Sequence, residues 1–164
     1  MKSKSNSFFF LLILFSLLLC LSACGKNNPG SDVGGETKSF GKISVFLPEG
    51  MLLTGGSIFD SNDENELQIT TPDEFVPYFL VSVKKAETAE KDLASAKEKN
   101  GGSEIESFKT GKNVWHGVAY EYNGTPCFLL IAQIKENTFE VMSEGYSHED
   151  AVPYAVLSSL KNAK

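Results

Sequence analysis

Asn123-Gly124 stands between two long β-rich runs, one ending at Tyr122 and one starting at Thr125. An Asn-Gly pair in that setting is a two-residue hairpin turn, because both of its residues must take positive φ. The returning strand, Cys127 to Gln133, reads CFLLIAQ and is apolar on both faces. A strand of that kind has to be covered on both sides. These two features together require a sheet buried between two layers.

The turn also sets a register. With Tyr122 opposite Thr125, Trp115 faces Ala132, Gly117 faces Leu130 and Ala119 faces Phe128. Large residues thus meet small ones on one face. On the other face Val118 meets Leu129, Tyr120 meets Cys127 and His116 meets Ile131. A second turn at Glu136-Asn137 extends the meander and is expected to pair Ile134 with Phe139, Ala132 with Val141, Leu130 with Ser143 and Phe128 with Gly145. Earlier strands are expected at Ile43–Leu47, Ser57–Phe59, Leu67–Thr71 and Tyr78–Lys84 from β-branched, aromatic and alternating patterns.

Two helices complete the layers. Thr88 to Asn100 starts on a threonine cap and stops at Gly101-Gly102, with a thin apolar stripe of Ala89, Leu93 and Ala96. Glu149 to Lys161 tolerates Pro153 only in its first turn and buries Val152, Val156 and Leu160. Ser147 or Asp150 is its expected cap. The expected fold class is α+β, a mostly antiparallel sheet sandwiched by the two helices.

The order of these elements resembles the Mog1/PsbP-like α/β/α sandwich over roughly residues 40 to 161. The matching features are the opening Ile43-Ser44-Val45-Phe46-Leu47-Pro48 strand, the mid-chain helix, the three-strand meander, and the closing helix ending Val156-Leu157-Ser158-Ser159-Leu160-Lys161. The resemblance implies a binding or assembly subunit, not an enzyme.

The N-terminus carries a different signal. Lys2 and Lys4 precede an apolar run, Phe8 to Leu19, and small residues Ser22 and Ala23 follow. That is the layout of a secretory signal, and the run is short for a membrane span of about 20 residues. Leu21-Ser22-Ala23-Cys24 resembles the lipobox of bacterial lipoproteins. The resemblance implies that the Cys24 sulfur takes a diacylglyceryl group and that Cys24 becomes the first residue after cleavage. Acyl chains on Cys24 would then hold the domain to the extracytoplasmic side of a cell membrane, since two or three chains anchor stably. An ordinary secretory signal containing a cysteine is the competing reading. The expected organisation is a signal over residues 1–23, a flexible Gly/Asn/Ser/Pro tether over 24–40, and one domain over 41–164.

Composition narrows the partners. Removing residues 1–23 leaves 13 lysines against 21 acidic residues, a net charge of −8, and there is no arginine. So acidic a domain is a poor fit to nucleic acid, and the missing arginine disfavours a dedicated phosphate or carboxylate pocket. Cys127 is the one cysteine left beyond Cys20 and Cys24, so no disulfide forms within the domain.

No motif assembles a reaction centre. His116 falls in a strand and reads foremost as a structural histidine; His148 falls beside Glu149 and Asp150 in a solvated helix start. Neither has zinc-type spacing with a cysteine or another histidine. Cys127, mid-strand among apolar neighbours, reads as an inert thiol. Asp60-Ser61-Asn62-Asp63-Glu64-Asn65-Glu66 fails the EF-hand pattern at its sixth and twelfth positions, Asn65 and Thr71. No catalytic residue, cofactor or metal site is therefore assigned. The expected function is binding of a protein or envelope component. The alternative is a small-molecule-binding lipoprotein serving a membrane complex, with Trp115, Tyr120 and Tyr122 lining a pocket, although those aromatics read foremost as core.

Overall fold

The computed structural model describes residues 29–57, 60–72 and 76–163. Cys24 and the signal lie outside them. Among the described residues, ten strands and two helices follow in order: β1 Gly35–Phe40, β2 Ile43–Pro48, β3 Leu52–Gly55, β4 Glu66–Thr70, β5 Tyr78–Lys84, α1 Ala86–Asn100, β6 Ser103–Thr110, β7 Asn113–Tyr122, β8 Thr125–Ile134, β9 Asn137–Glu144, α2 Ala151–Ser159 and β10 Lys161–Asn162. A seven-stranded antiparallel sheet runs β3-β4-β5-β9-β8-β7-β6, and β1-β2-β10 form a smaller sheet.

The Asn123-Gly124 hairpin stands where the sequence places it. Tyr122 pairs with Thr125, and the register runs back to His116 opposite Ile131. Asn123 and Gly124 both have positive φ, as this turn needs. The second turn falls one residue earlier than expected, which shifts the register by two. It falls on Lys135-Glu136, with Ile134 opposite Asn137, Ala132 opposite Phe139, Leu130 opposite Val141 and Phe128 opposite Ser143. Lys135 takes the left-handed conformation itself, at φ 57°. A slip of two leaves every side chain on its own face, and this register matches Ala132 to Phe139 and Phe128 to Ser143 by size.

One face of the large sheet is sealed. Phe79, Trp115, Phe128, Leu130, Phe139 and Val141 are fully buried there. They pack against Ile43 and Val45 of β2 and Val156, Leu157 and Leu160 at α2. The covering layer is thus a helix together with the small sheet, not a helix alone. At about 25 cal/mol per Å² of apolar area, this face holds most of the stabilising burial. Trp115 is core rather than pocket lining, its indole N–H donating to Thr110 Oγ1 at 3.0 Å.

The tether ends earlier than expected. Residues 35–40 form β1, paired along its whole length with β2 from Gly35–Pro48 to Phe40–Ile43. A Cβ on Gly30 would meet the Ala155 backbone at 2.9 Å, so the chain already packs on α2 at that point. β1 is almost entirely exposed. Its backbone pairing therefore leaves no apolar alternation to read.

β4 and β5 stand close to their expected spans, and β3 occupies Leu52–Gly55; of the strand expected at Ser57–Phe59, Ile58 and Phe59 lie outside the described residues. α1 starts two residues early, capped positionally by Lys85 without a side-chain hydrogen bond. α2 starts after Asp150, whose carboxylate accepts the Ser147 N–H at 2.9 Å. Pro153 sits in its first turn. Among the described residues no helix is long and apolar enough to cross a membrane.

Candidate functional site

The second face of the large sheet is chemically different. His116, Val118 and Tyr120 of β7 project there, beside Cys127, Leu129 and Ile131 of β8 and Glu140, Met142 and Glu144 of β9. α1 lies across β7, β8 and β9. It buries Ala89 alone among its 15 residues, because its stripe is too thin for more.

Charge pairs supply what the stripe lacks. Lys84 Nζ reaches Glu140 Oε1 at 2.6 Å and Asp92 Oδ2 at 2.8 Å, bridging β5, β9 and the helix. Lys97 pairs with Glu104 at 2.9 Å, and His116 Nε2 lies 3.4 Å from Glu90 Oε1. Glu140 is the costly member. Its Oε2 is buried with no hydrogen-bond partner among the described residues, and burial raises its carboxyl pKa despite Lys84. Burial alone would lower the Lys84 ammonium, but Asp92 and Glu140 outweigh it and hold the group above its usual range.

A groove of about 470 Å³ opens between α1 and β6. A β-bulge shapes it. Ile105 pairs with Gly117 and Phe108 with Trp115, so Glu106 and Ser107 together oppose His116. A bulge bends its strand and re-aims side chains. Here Glu106, Ser107 and His116 all line the groove. Leu93, Ala94, Ile105 and Val118 supply its apolar part, and Glu90, Lys97 and Glu104 its rim. Lys97 draws the Glu104 carboxyl below its usual range by hydrogen bond and charge.

A second groove, about 480 Å³, lies at the C-terminal end of α1 and holds Tyr120, Pro126, Cys127 and His148. Tyr120, Cys127, Glu144 and Tyr78 form a row across β7, β8, β9 and β5. Burial, with the neighbouring Cys127, Tyr78 and Glu144, pushes the Tyr120 phenol up to about 12. Burial likewise raises the Cys127 thiol, whose Sγ lies 3.5 Å from Thr125 O. That environment suppresses the thiolate and makes a poor nucleophile. Tyr122, the third aromatic considered for a pocket, is exposed at the hairpin end.

The two histidines stand apart, one in each groove, and His148 packs edge-on to Phe108 with ring centroids 5.4 Å apart. Among the described residues no cluster of three metal-ligating groups occurs. The Asp60–Glu66 loop spends its two aspartates on itself, while Glu66 accepts from Ser82 Oγ. Asp60 Oδ1 accepts the Asn62 N–H and Asp63 Oδ1 the Asn65 N–H, both at 2.9 Å. The bond from the Asn65 backbone is the main reason the Asp63 carboxyl falls below its usual value.

Sequence reasoning found His116, Cys127 and Tyr120 but missed Lys84, Glu90, Asp92, Glu104, Glu106 and Glu140. For Glu140 there was a signal: a carboxylate between Phe139 and Val141 in a strand that must be central. For the rim residues there was none, because the bulge that gathers them leaves no mark in a polar strand.

This arrangement of a large antiparallel sheet, one face sealed and the other crossed by a single helix, defines a PsbP-like α+β fold. No family model matches the chain, and no curated protein matches it. Solved structures do. The solution structure of cyanobacterial PsbP (CyanoP) from Synechocystis sp. PCC 6803 matches with a TM-score of 0.52 at 9% identity, covering 85% of this chain and 97% of that one. A crystal structure from Bacteroides thetaiotaomicron VPI-5482 matches with a TM-score of 0.51 at 19% identity, covering 79% of this chain. This chain spans about half of that protein, 49% of its length. At such identities the likeness is one of fold.

Proposed function

We propose that this chain is a lipid-anchored lipoprotein on the extracytoplasmic side of a cell membrane, acting without catalysis and binding a protein or envelope component. The observation that carries the binding reading is the groove between α1 and β6, open beside an edge of the large sheet. Leu21-Ser22-Ala23-Cys24, behind its apolar run, supports the anchor. Crosslinking the intact protein on living cells, with partners identified by mass spectrometry, tests the binding. One reproducible partner is expected; a folded, anchored protein that captures none would overturn it. Cys24→Ala tests the anchor, and a variant that still partitions with membranes and carries lipid would refute it.

The second groove favours one alternative, a small-molecule-binding lipoprotein serving a membrane complex. Half-buried Tyr120 offers such a ligand an aromatic wall there.

A further inference from the structure

We propose that β6 takes up an extended, lysine- or arginine-bearing segment of a partner protein as an added strand, its basic side chains lying beside Glu104 and Glu106. This rests on the binding reading above and names the surface and the partner's chemistry. Among the described residues β6 closes the strand order of the large sheet, and no strand there pairs with the backbone N–H and C=O groups of its outer edge. A helix beside a free edge strand is the geometry in which extended peptides add to a sheet: the ladder supplies affinity and alternate side chains supply specificity.

Register decides what those side chains meet. Glu104 pairs with Val118, on the face that α1 crosses. Every second side chain of an added strand falls on that same face, next to Glu104 and to Glu106 at the bulge. The rim holds three carboxylates, Glu90, Glu104 and Glu106, against one lysine, Lys97. Lys97 serves Glu104, and Glu106 has no ion pair among the described residues. Opposite charges across strands attract and like charges repel. Leu93 and Ala94 of α1 lie beside the charges on the same face, where they can receive the aliphatic stems of the basic side chains.

The same electrostatics disfavour a second copy of this chain. Two β6 edges joined at the groove would bring the Glu104 and Glu106 of each copy together. The bulge works the same way, since it twists the edge out of the flat form that identical strands pair through.

The test is a selection of random decapeptides on full-length protein in detergent micelles, run in parallel on the Glu104→Lys/Glu106→Lys variant. The Glu104 side chain is 73% exposed and Glu106 is exposed, so the variant is expected to fold, which circular dichroism checks. Wild type should enrich peptides with basic residues at alternate positions. The variant should bind those peptides about tenfold more weakly, the sum of two reversed cross-strand pairs, and enrich acidic ones. Hydrogen exchange at β6 amides should slow when a selected peptide binds. N-methylation of alternate peptide residues should abolish the slowing. No enrichment, or enrichment indifferent to the charge reversal, overturns the proposal, as does binding that leaves β6 exchange unchanged. A cell-surface partner that crosslinks elsewhere on the domain would refute this surface and leave the binding reading standing.

Discussion

Replacing Lys84 by methionine removes the one cation between Glu140 and Asp92 while keeping the aliphatic stem that packs between β5 and α1. The Glu140 side chain is only 7% exposed, Lys84 28% and Asp92 42%. Stripping the partner from a fully buried charge costs about 3–5 kcal/mol, whereas an exposed pair contributes about 0–1 kcal/mol. This clasp lies between the two limits, and Lys84→Met should cost about 2–3 kcal/mol at neutral pH. At about 3 °C per kcal/mol for a domain of this size, the melting temperature should fall by about 6–9 °C. The pH dependence gives the sharper test. Lys84 has a raised pKa in the fold, so its contribution is complete at neutral pH and is lost only as pH rises through that value. The Glu140 carboxyl is also raised, and without Lys84 it rises further. A carboxyl raised in the fold favours folding as pH falls through its folded pKa toward its unfolded one. The variant's deficit should therefore shrink between pH 7.5 and pH 5. Thermal melts of wild type and variant at both pH values, followed by circular dichroism, measure this. A loss under 2 °C at pH 7.5, or an equal loss at both pH values, would refute the account of Glu140 as a buried charge held by Lys84.

Asn113 should be the costliest polar side chain to lose on the sealed face. Its Nδ2 donates to Leu157 O at 2.9 Å and Leu160 O at 3.0 Å at the end of α2, so Asn113→Ala should cost about 2–3 kcal/mol by urea denaturation. Lys135→Asn should stabilise the domain by about 0.5–1 kcal/mol, because asparagine tolerates the left-handed conformation that Lys135 adopts; an unchanged or lower melting temperature would count against the turn geometry. Cys127 should stay unlabelled by iodoacetamide at pH 8 in the native protein and label fully in denaturant, with residue-resolved mass spectrometry as the readout.

What could be read from the chain depended on which physical term governed each element. Asn123-Gly124 needs only local backbone geometry, so the β7–β8 register came out right. The β8–β9 turn has no glycine, and apolar periodicity cannot separate Ile134–Asn137 from a pairing two residues away, because both keep the same faces. The choice came from size matching across the strands and from Lys135 accepting positive φ. β1 and β6 escaped for a shared reason. Both are polar strands, β1 exposed almost throughout and β6 at a sheet edge, and strand identity there comes from backbone pairing with the next strand, closed at Phe40–Ile43 and Thr110–Asn113, which no apolar alternation marks. The groove depends on that same edge and on a bulge within it, which is why Tyr120 and His116 were legible as residues and the site around them was not.

The two faces of the sheet are held by different physical terms. Trp115, Phe79, Phe128 and Phe139 are all fully buried on one face, where a lost side chain costs about 3–5 kcal/mol. Substitutions there act through the amount of folded protein. On the other face α1 contributes one buried alanine and is held by Lys84 to Asp92 and by Lys97 to Glu104, with Glu90 placed beside His116. The exposed pairs in that set weaken as salt rises, since screening acts within about 10 Å at 0.1 M; the Lys84–Asp92 pair, 28% and 42% exposed, is screened less than Lys97–Glu104, 52% and 73% exposed. In salt, then, α1 should loosen at its Lys97 end first, beside the groove, while its Asp92 turn stays fixed to the sheet. The proposed binding groove thus has two unlike walls: β6 and β7 are anchored to the core through Ile105 and Trp115, whereas the last turns of α1 rest on an exposed ion pair that salt weakens.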